Sequence, residues 1–229
     1  MCLPNVKKNI AMREICEFLK GLNENNNKEW FDNNKANYQR TKAKFIHITE
    51  VLINEIRSFD KEISSMDPKK CVFRIYRDVR FSNDKRPFKT NYGTYIAKAG
   101  RSGGNPGYYF QIEPGNSFIG GGIYMPEPDK LKAIRTENYN HPDDFLELIE
   151  EPEFKRSFKL YDEDKLKTAP KGFPKEFEHI DLLRYKSYAT LMMISDEQLF
   201  QPDIIELIVE KFRLMTRFNQ FLNYAIDQH

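Results

Sequence analysis

The spacing of apolar side chains changes along the chain and predicts the order of its elements. In residues 9–60 apolar side chains recur every three or four positions, which is typical of helices. In residues 70–126 they alternate with polar side chains, which is typical of strands. Residues 127–184 predict helices and an irregular charged excursion, and residues 185–229 predict a last strand and a long amphipathic helix.

Together these segments predict a single α+β domain over residues 1–229. An antiparallel β-meander lies in the middle of the chain, and N-terminal and C-terminal helices flank it and pack mainly on one face of the sheet. A chain of 229 residues is long enough to bury its own apolar core. The 18 phenylalanines and 12 tyrosines supply the large side chains that such a core needs.

The first predicted strand, Phe73 to Phe81, mixes apolar and charged positions. Strand alternation places Arg77 on the same face as Phe73, Ile75, Val79 and Phe81, toward an apolar layer. A guanidinium in such a layer needs a carboxylate or several carbonyls as partners, because an unpaired buried charge is strongly destabilising. A β-bulge near Arg77 is the alternative interpretation. The other face carries Arg74, Tyr76, Asp78 and Arg80.

The predicted hairpin that follows combines good turn chemistry with an unusual run of glycines. Pro114-Gly115-Asn116 separates two alternating segments and predicts a tight turn. Gly120-Gly121-Gly122 lies in the second strand, where consecutive glycines are costly because they pack nothing and lose much entropy on folding. A neighbour must therefore approach this backbone closely, and it is either a packed helix or a bound ligand.

Charge and cysteine usage narrow the classes of protein. The formal net charge is +2, so the charge of the whole chain does not indicate a nucleic-acid partner, although it does not exclude one. Cys2, Cys16 and Cys71 are odd in number and lack metal-ligand spacing, which fits inert thiols in a reducing compartment. No window approaches the about 18 apolar residues of a membrane span. We expect a cytoplasmic protein without a membrane partner; the oligomeric state does not follow from the sequence.

Common signatures of cofactor and metal sites do not occur in the sequence. A phosphate-binding loop, a nucleophile elbow and a zinc-protease helix motif are all missing. The glycines at 120–122 lie within a hairpin rather than between a parallel strand and a helix, so they do not match the dinucleotide pattern. The four histidines lie far apart and have no partner at ligand spacing. We therefore expect neither a metal nor a cofactor.

The candidate chemistry lies between Val72 and Thr90, where basic side chains are densest. Guanidinium groups give bidentate hydrogen bonds to phosphate or carboxylate, and lysines add point charges. The segment therefore predicts a site for an anionic small molecule. The predicted ligand-binding residues are Arg74, Arg77, Arg80, Lys85, Lys89 and Thr90.

Two alternatives stay open for the same segment. In the first, the protein is an enzyme that acts on a phosphorylated or carboxylated substrate, with Asp78 or Asp84 as general base. In the second, the protein has a structural or interaction role, and the arginines form an internal ion-pair network with Asp78, Asp84, Glu113 and acidic residues of the helices. The surplus of basic over acidic side chains in this segment favours an external anion.

Four short motifs carry a resemblance to a known family. They are residues 27–31 (Asn-Lys-Glu-Trp-Phe), the block from Phe73 to Thr90, Ile112-Glu113-Pro114-Gly115, and Gly120-Gly121-Gly122-Ile123-Tyr124 with Pro126. Through these motifs the chain resembles, over about residues 12–226, a bacterial and fungal family known as domain of unknown function 2461. Phe88 departs from the family pattern, in which tyrosine is common, and this removes one hydroxyl from the segment. The resemblance implies no established activity, so it supplies no catalytic residues.

Overall fold

The order of elements follows the predicted change of period. The computed structural model describes residues 5–229, with side-chain surroundings from Ile10 onward, and Cys2 lies outside the described residues. The helices are α1 Asn5–Glu24, α2 Lys28–Asn33, α3 Lys35–Phe59, α4 Pro68–Cys71, α5 Pro128–Asn140, α6 Pro142–Glu150, α7 Pro152–Ser157, α8 Ile180–Leu183, α9 Asp196–Leu199 and α10 Ile204–Gln228. The strands are β1 Tyr92–Ala97, β2 Gly107–Ile112, β3 Ser117–Ile123, β4 Lys159–Leu160 and β5 Tyr188–Ile194.

The strands form one antiparallel sheet with the order β1-β2-β3-β5-β4. The first three strands are neighbours in both sequence and space, so the predicted meander is present. β4 pairs with β5 antiparallel, with Lys159 opposite Leu191 and Leu160 opposite Thr190. The predicted α+β class, with an antiparallel sheet in the middle and helices at both ends, is confirmed.

The chain divides into two compact units. Unit 1 comprises Met1–Ile96, Tyr109–Ile119 and Met193–Val209. Its core is aromatic: the ring centroid of Phe45 in α3 lies 5.5 Å from that of Tyr92 in β1 and 6.1 Å from that of Phe110 in β2. Phe18 of α1 stacks on Tyr92 at 6.2 Å. Alternate residues of β1 and β2 thus meet the buried stripes of α1 and α3.

Unit 2 comprises Ala97–Tyr108, Gly120–Met192 and Glu210–His229. In it the C-terminal part of α10 packs against Tyr108, whose ring lies 5.2 Å from that of Phe212. The hydroxyl of Tyr108 donates to Oγ1 of Thr216 at 3.2 Å. Each unit has its own buried side chains, and the prediction of a single domain stays a prediction.

The glycine run of β3 lies against α10. A Cβ atom at Gly121 would lie 2.7 Å from Sδ of Met215, and one at Gly122 would lie 2.7 Å from the Phe218 ring. The N–H of Gly122 donates to Oδ1 of Asn219, also on α10, at 2.7 Å. The sequence predicted that either a packed helix or a bound ligand approaches these glycines closely. The structure shows that it is a packed helix, α10.

The predicted strand from Phe73 to Phe81 does not form. Residues 72–90 instead make an irregular hairpin, here called the basic hairpin. The isolated bridge from Tyr76 to Phe88 joins its two arms, and a second isolated bridge joins Val72 to Thr94 of β1. Between its arms the N–H of Arg77 donates to the carbonyl of Pro87 at 3.0 Å, and the N–H of Lys89 donates to the carbonyl of Ile75 at 2.8 Å.

Two features explain why the ladder stops. Pro87 has no N–H to donate to the opposite arm. Carboxylate oxygens of Asp78 and Asp84 accept from the backbone N–H groups two residues later, at 3.3 and 3.0 Å, and such local bonds compete with strand pairing. The predicted alternation therefore holds at buried Ile75 but fails at Phe81, which is 95% exposed rather than part of an apolar layer.

Among residues 5–229 no helix is both long enough and apolar enough to cross a membrane.

Candidate functional site

The basic hairpin is anchored to the rest of unit 1 through Phe88. Its ring stacks on that of Phe31 in α2, with centroids 4.0 Å apart and planes 14° from parallel. Asn26 holds the backbone of Phe88 on both sides, because its Nδ2 donates to the Phe88 carbonyl at 3.0 Å and its Oδ1 accepts from the Phe88 N–H at 3.1 Å. The base of the hairpin is thus fixed against the helices.

Asp84 holds two of the arginines. Its Oδ2 lies 2.7 Å from Nη1 of Arg77 and 2.8 Å from Nη2 of Arg86. Arg77 donates further to the Arg86 carbonyl at 3.2 Å and to Oγ of Ser82 at 3.4 Å. Nη1 of Arg86 donates to Oδ1 of Asn23 at 3.2 Å. Arg77 thus has a carboxylate and a carbonyl as partners, as the sequence required, and no bulge within a ladder is involved.

Asp78 holds Arg80 through both oxygens. Nε of Arg80 donates to Oδ1 at 2.9 Å, and Nη2 donates to Oδ2 at 2.6 Å, which is a bidentate pair. The side chain of Arg80 is nevertheless 76% exposed. Its Nη1 has no hydrogen-bond partner within the described part of the chain. The pair therefore orients the guanidinium while one of its edges still faces solvent.

Both carboxylates are poor proton acceptors. Hydrogen bonds from Arg86 hold the pKa of Asp84 well below its usual range, and those from Arg80 lower the pKa of Asp78. A general base needs a pKa close to the working pH, so this geometry gives the enzyme alternative little support. That alternative stays a hypothesis.

We expect the low pKa of Asp84 to be visible in an NMR titration of its carboxyl carbon. An ordinary aspartate titrates near about 3.9, and Asp84 should stay ionised well below this value. Its pairs with arginine are therefore complete above pH 4 and are lost only as the pH falls through the lowered pKa of the folded protein. Arg86→Ala should raise the midpoint toward the ordinary value, whereas Arg217→Ala, in unit 2, should not. An ordinary midpoint in the wild-type protein would contradict the pairing.

Arg74 differs from its neighbours. It is exposed and makes no hydrogen bond or ion pair with any residue that the structure describes, although its charge helps to lower the pKa of Asp78. Lys85 is also exposed, and its Nζ donates to the Val79 carbonyl at 3.1 Å. The hairpin therefore carries positive charge that its two aspartates do not neutralise.

Lys89 and Thr90, the other predicted ligand-binding residues, face a different part of unit 1. Nζ of Lys89 lies 5.3 Å from the ring centroid of Phe73, a cation–π distance. The hydroxyl of Thr90 donates to Oε1 of Glu113 at 2.8 Å. The structure thus brings Arg77, Arg80, Lys85 and Arg86 to the outer part of the hairpin and leaves Lys89 and Thr90 at its base.

Glu113, which directly follows β2, is the centre of a hydrogen-bond chain that includes Tyr109 and Gln111 of that strand. Its carboxylate accepts from Thr90, from Nε2 of Gln111 at 2.8 Å and from Nδ2 of Asn116 at 3.0 Å. Oε1 of Gln111 accepts in turn from the hydroxyl of Tyr109 at 2.8 Å. Burial, together with the charge of Glu113, raises the pKa of Tyr109 to about 12. All three donors are uncharged. Glu113 is therefore not the ion-pair partner of the arginines that the network alternative proposed.

The comparison with protein families decides the relationship of the chain. A family model described as "Conserved hypothetical protein (DUF2461)" matches residues 14–221. The chain belongs to the DUF2461 family. The match includes the basic hairpin and Glu113, so both belong to the part of the chain that is typical of DUF2461. No curated protein and no solved structure matches the chain significantly.

In this DUF2461 protein, the sequence pointed to the basic segment from Val72 to Thr90 but predicted a strand there, and it did not reveal the Tyr109-Gln111-Glu113 chain. The alternation of β2 did place these three side chains on one face, and that was the available signal. It could not show that Thr90, more than twenty positions earlier, would meet Glu113. Such a contact depends on how the arms of the hairpin return to the sheet.

In the part of this DUF2461 chain that the structure describes, the remaining titratable groups do not form a metal centre. Across residues 5–229, no group of three or more histidine, cysteine or acidic side chains could hold a metal ion. That the protein needs neither a metal nor a cofactor stays a prediction. Cys16 and Cys71 are buried, and burial raises the pKa of the Cys16 thiol to about 12, which favours the unreactive protonated form at neutral pH.

Proposed function

We propose that this DUF2461 protein binds an anionic small molecule, one that carries phosphate or carboxylate groups, at the basic hairpin. The observation that carries the proposal is the uncompensated charge of Arg74, Lys85 and the open edge of Arg80. Six basic side chains lie between Val72 and Thr90 against two acidic ones. An anion would complete the charge balance that the two aspartates leave open.

The ion pairs of the hairpin support binding rather than compete with it. Asp84 fixes Arg77 and Arg86, and Asp78 fixes Arg80, so these guanidinium groups lose little further freedom when a ligand arrives. Arg74 offers a whole guanidinium fork, the geometry that binds phosphate or carboxylate with two hydrogen bonds. In this proposal Lys89 adds positive charge at the base of the hairpin, and Thr90 fixes that base through Glu113.

The alternative of an internal network describes part of the same hairpin. It accounts for Arg77, Arg80 and Arg86, each of which has a carboxylate partner. It does not account for Arg74. An interaction role would favour exposed apolar side chains on the outer face of the long C-terminal helix, but Tyr224 is the one strongly exposed large apolar side chain of α10 among those described. The cytoplasmic location is likewise part of this proposal, on the basis of the cysteine usage.

Isothermal titration calorimetry with inorganic pyrophosphate and citrate tests the proposal. We expect the wild-type protein to bind at least one of them at moderate salt. Arg74→Ala should weaken binding by about tenfold or more, because hydrogen bonds to charged groups contribute about 1.5–3 kcal/mol. Arg74→Lys keeps the charge without the fork and should lie between the two.

Arg217→Ala is the matched control. Arg217 is also an exposed arginine, and its Nη2 lies 3.2 Å from Oε1 of Glu147 in unit 2. Its loss removes one positive charge far along the chain from the hairpin, so affinity should stay at the wild-type level. Absence of binding by the wild-type protein, or equal losses in the Arg74 and Arg217 variants, would overturn the proposal.

A further inference from the structure

The basic hairpin carries two aromatic side chains that are exposed to solvent. Phe81 is 95% exposed, and Tyr76 is 50% exposed. Exposing a phenylalanine ring to water forfeits the burial energy that the same ring gains in a core, which is about 1.5–3 kcal/mol. Phe81 therefore contributes little burial energy to the fold, and its ring is accessible to a ligand at the surface.

The two rings alternate with guanidinium groups along the hairpin. In order the chain presents Arg74, Tyr76, Arg80 and Phe81, and all four are exposed. The guanidinium carbon of Arg80 lies 5.8 Å from the centroid of the Phe81 ring. Lys85 and Arg86, on the returning arm, are exposed as well. Flat apolar faces and fixed positive charges thus occur on one short structure.

Single-stranded nucleic acid is a ligand that uses both features. Its phosphates are bound by lysine and arginine, and its unpaired bases stack on aromatic side chains, at about 1–3 kcal/mol per base. Tyr76 and Phe81 are five residues apart, at most about 18 Å of extended chain, so one short strand can reach both. An inorganic anion gains only from the charges and makes no use of the exposed ring faces.

A membrane surface fits the same hairpin less well. Only Phe81 is free to enter a bilayer, because Tyr76 is seated against Phe31 and Phe88 with ring centroids 5.8 and 5.5 Å away. Attachment to a membrane grows with the apolar area that enters the bilayer, and even a whole myristoyl chain gives only marginal, reversible binding by itself, so the single ring of Phe81 is a weak anchor. A ring held on one side and open on the other is instead suited to stacking, since its open face needs no further movement.

We propose that the anionic ligand of the basic hairpin is single-stranded nucleic acid, with bases stacked on Phe81 and Tyr76 and phosphates bound by Arg74, Arg80, Lys85 and Arg86. This inference rests on the proposed function and names the ligand of the same site. Recognition of this kind depends little on base sequence, because every base has a flat face. The two aspartates keep the guanidinium groups in place for successive phosphates.

Fluorescence anisotropy with a labelled oligothymidylate tests the inference. A length of about ten nucleotides is suitable, because OB-fold domains that bind single strands occupy about 4–16 nucleotides each. We expect the wild-type protein to bind. Phe81→Ala should lose about tenfold in affinity, because it removes the ring on which one base stacks. Phe81→Tyr should retain binding because it keeps the ring. Tyr224→Ala is the matched control, since Tyr224 is 54% exposed but lies on α10 in unit 2.

The dependence on salt gives a second readout. Arg74→Ala should reduce the slope of log affinity against log salt by about 0.7, the value for one phosphate contact of a single strand. Phe81→Ala should leave this slope unchanged, because stacking releases no counterions. A merely unfolded variant would lose binding at every salt concentration, so the unchanged slope separates the loss of a ring from the loss of structure.

Four outcomes separate this inference from the proposal on which it rests. If pyrophosphate binds and the oligonucleotide does not, the inference falls and the anion site stands. If inorganic polyphosphate competes as well as the oligonucleotide and Phe81→Ala has no effect, stacking is overturned. If vesicles containing phosphatidylserine bind through Phe81 while the oligonucleotide does not, the partner is a membrane surface and the inference falls. If no anion binds, both proposals fall.

Discussion

Gly122→Ala is expected to lower the free energy of unfolding by about 4 kcal/mol, the sum of overpacking and of a left-handed backbone at a residue with a side chain. Gly122 has φ 87°, which L-residues rarely adopt. A Cβ there would lie 2.1 Å from the carbonyl oxygen of Tyr188 and 2.7 Å from the Phe218 ring. The carbonyl belongs to the backbone of β5, so it cannot turn away. β5, α10 or both must shift.

Thermal unfolding followed by circular dichroism measures the effect. For a chain of this length, about 4 kcal/mol corresponds to a fall of about 8–16 °C in Tm. Gly172→Ala is the matched control, because Gly172 also lies in unit 2 and has φ 92°, but nothing lies within 4 Å of its Cβ position. It should cost only the about 1–2 kcal/mol of backbone strain. Equal losses in the two variants would contradict the close packing at Gly122.

Phe31→Ala is expected to lower the free energy of unfolding by about 3–5 kcal/mol, the usual range for removal of a buried aromatic ring. Phe31 is 2% exposed and stacks on Phe88 at 4.0 Å. Tyr38 and Tyr76 also contact it, with ring centroids 5.0 and 5.8 Å away. The substitution removes both the packed ring and the surface on which the basic hairpin rests. We therefore expect weaker anion binding in the same variant.

Urea denaturation measures the loss of stability, and hydrogen exchange locates it. The amides of Arg77 and Lys89, which bridge the arms of the hairpin, should exchange faster in Phe31→Ala. Phe81→Ala is the control, because it removes the same ring from an exposed position, and a change within about 0.5 kcal/mol is expected there. Wild-type stability and exchange in Phe31→Ala would show that the hairpin does not depend on α2.

The period of the apolar side chains was a reliable guide to the regular elements. The α+β class, the meander of β1, β2 and β3 and the long α10 were predicted from local spacing, because apolar side chains recur at alternate positions in the strand segments and at every third or fourth position in the helical ones. The glycines of β3 likewise predicted, from the local sequence, that a neighbour packs closely against this strand. A backbone without side chains is stable in a strand only if something fills the space, and α10 fills it.

The basic hairpin was harder to predict because its conformation depends on competing hydrogen bonds. Local alternation favoured a strand through Phe81, whereas Asp78 and Asp84 bind their own backbone, and Pro87 lacks the donor that a ladder needs. The sequence shows that these residues are present. It does not show whether the local hydrogen bonds of the aspartates or the hydrogen bonds of a strand ladder will form. The outcome is decided by Asn26 and Phe31, which hold the returning arm at Phe88.

By itself, the sequence determined the fold class, the order of the elements, the family and the surplus of positive charge between Val72 and Thr90. Those features are carried by residue types and by short spacings, which need no knowledge of distant contacts. Only the tertiary structure decided which arginines are paired, where Thr90 meets Glu113, and that Phe81 stands in solvent. Each of these depends on residues far apart in the chain, and their distances are set only when the hairpin packs against α2 and the sheet.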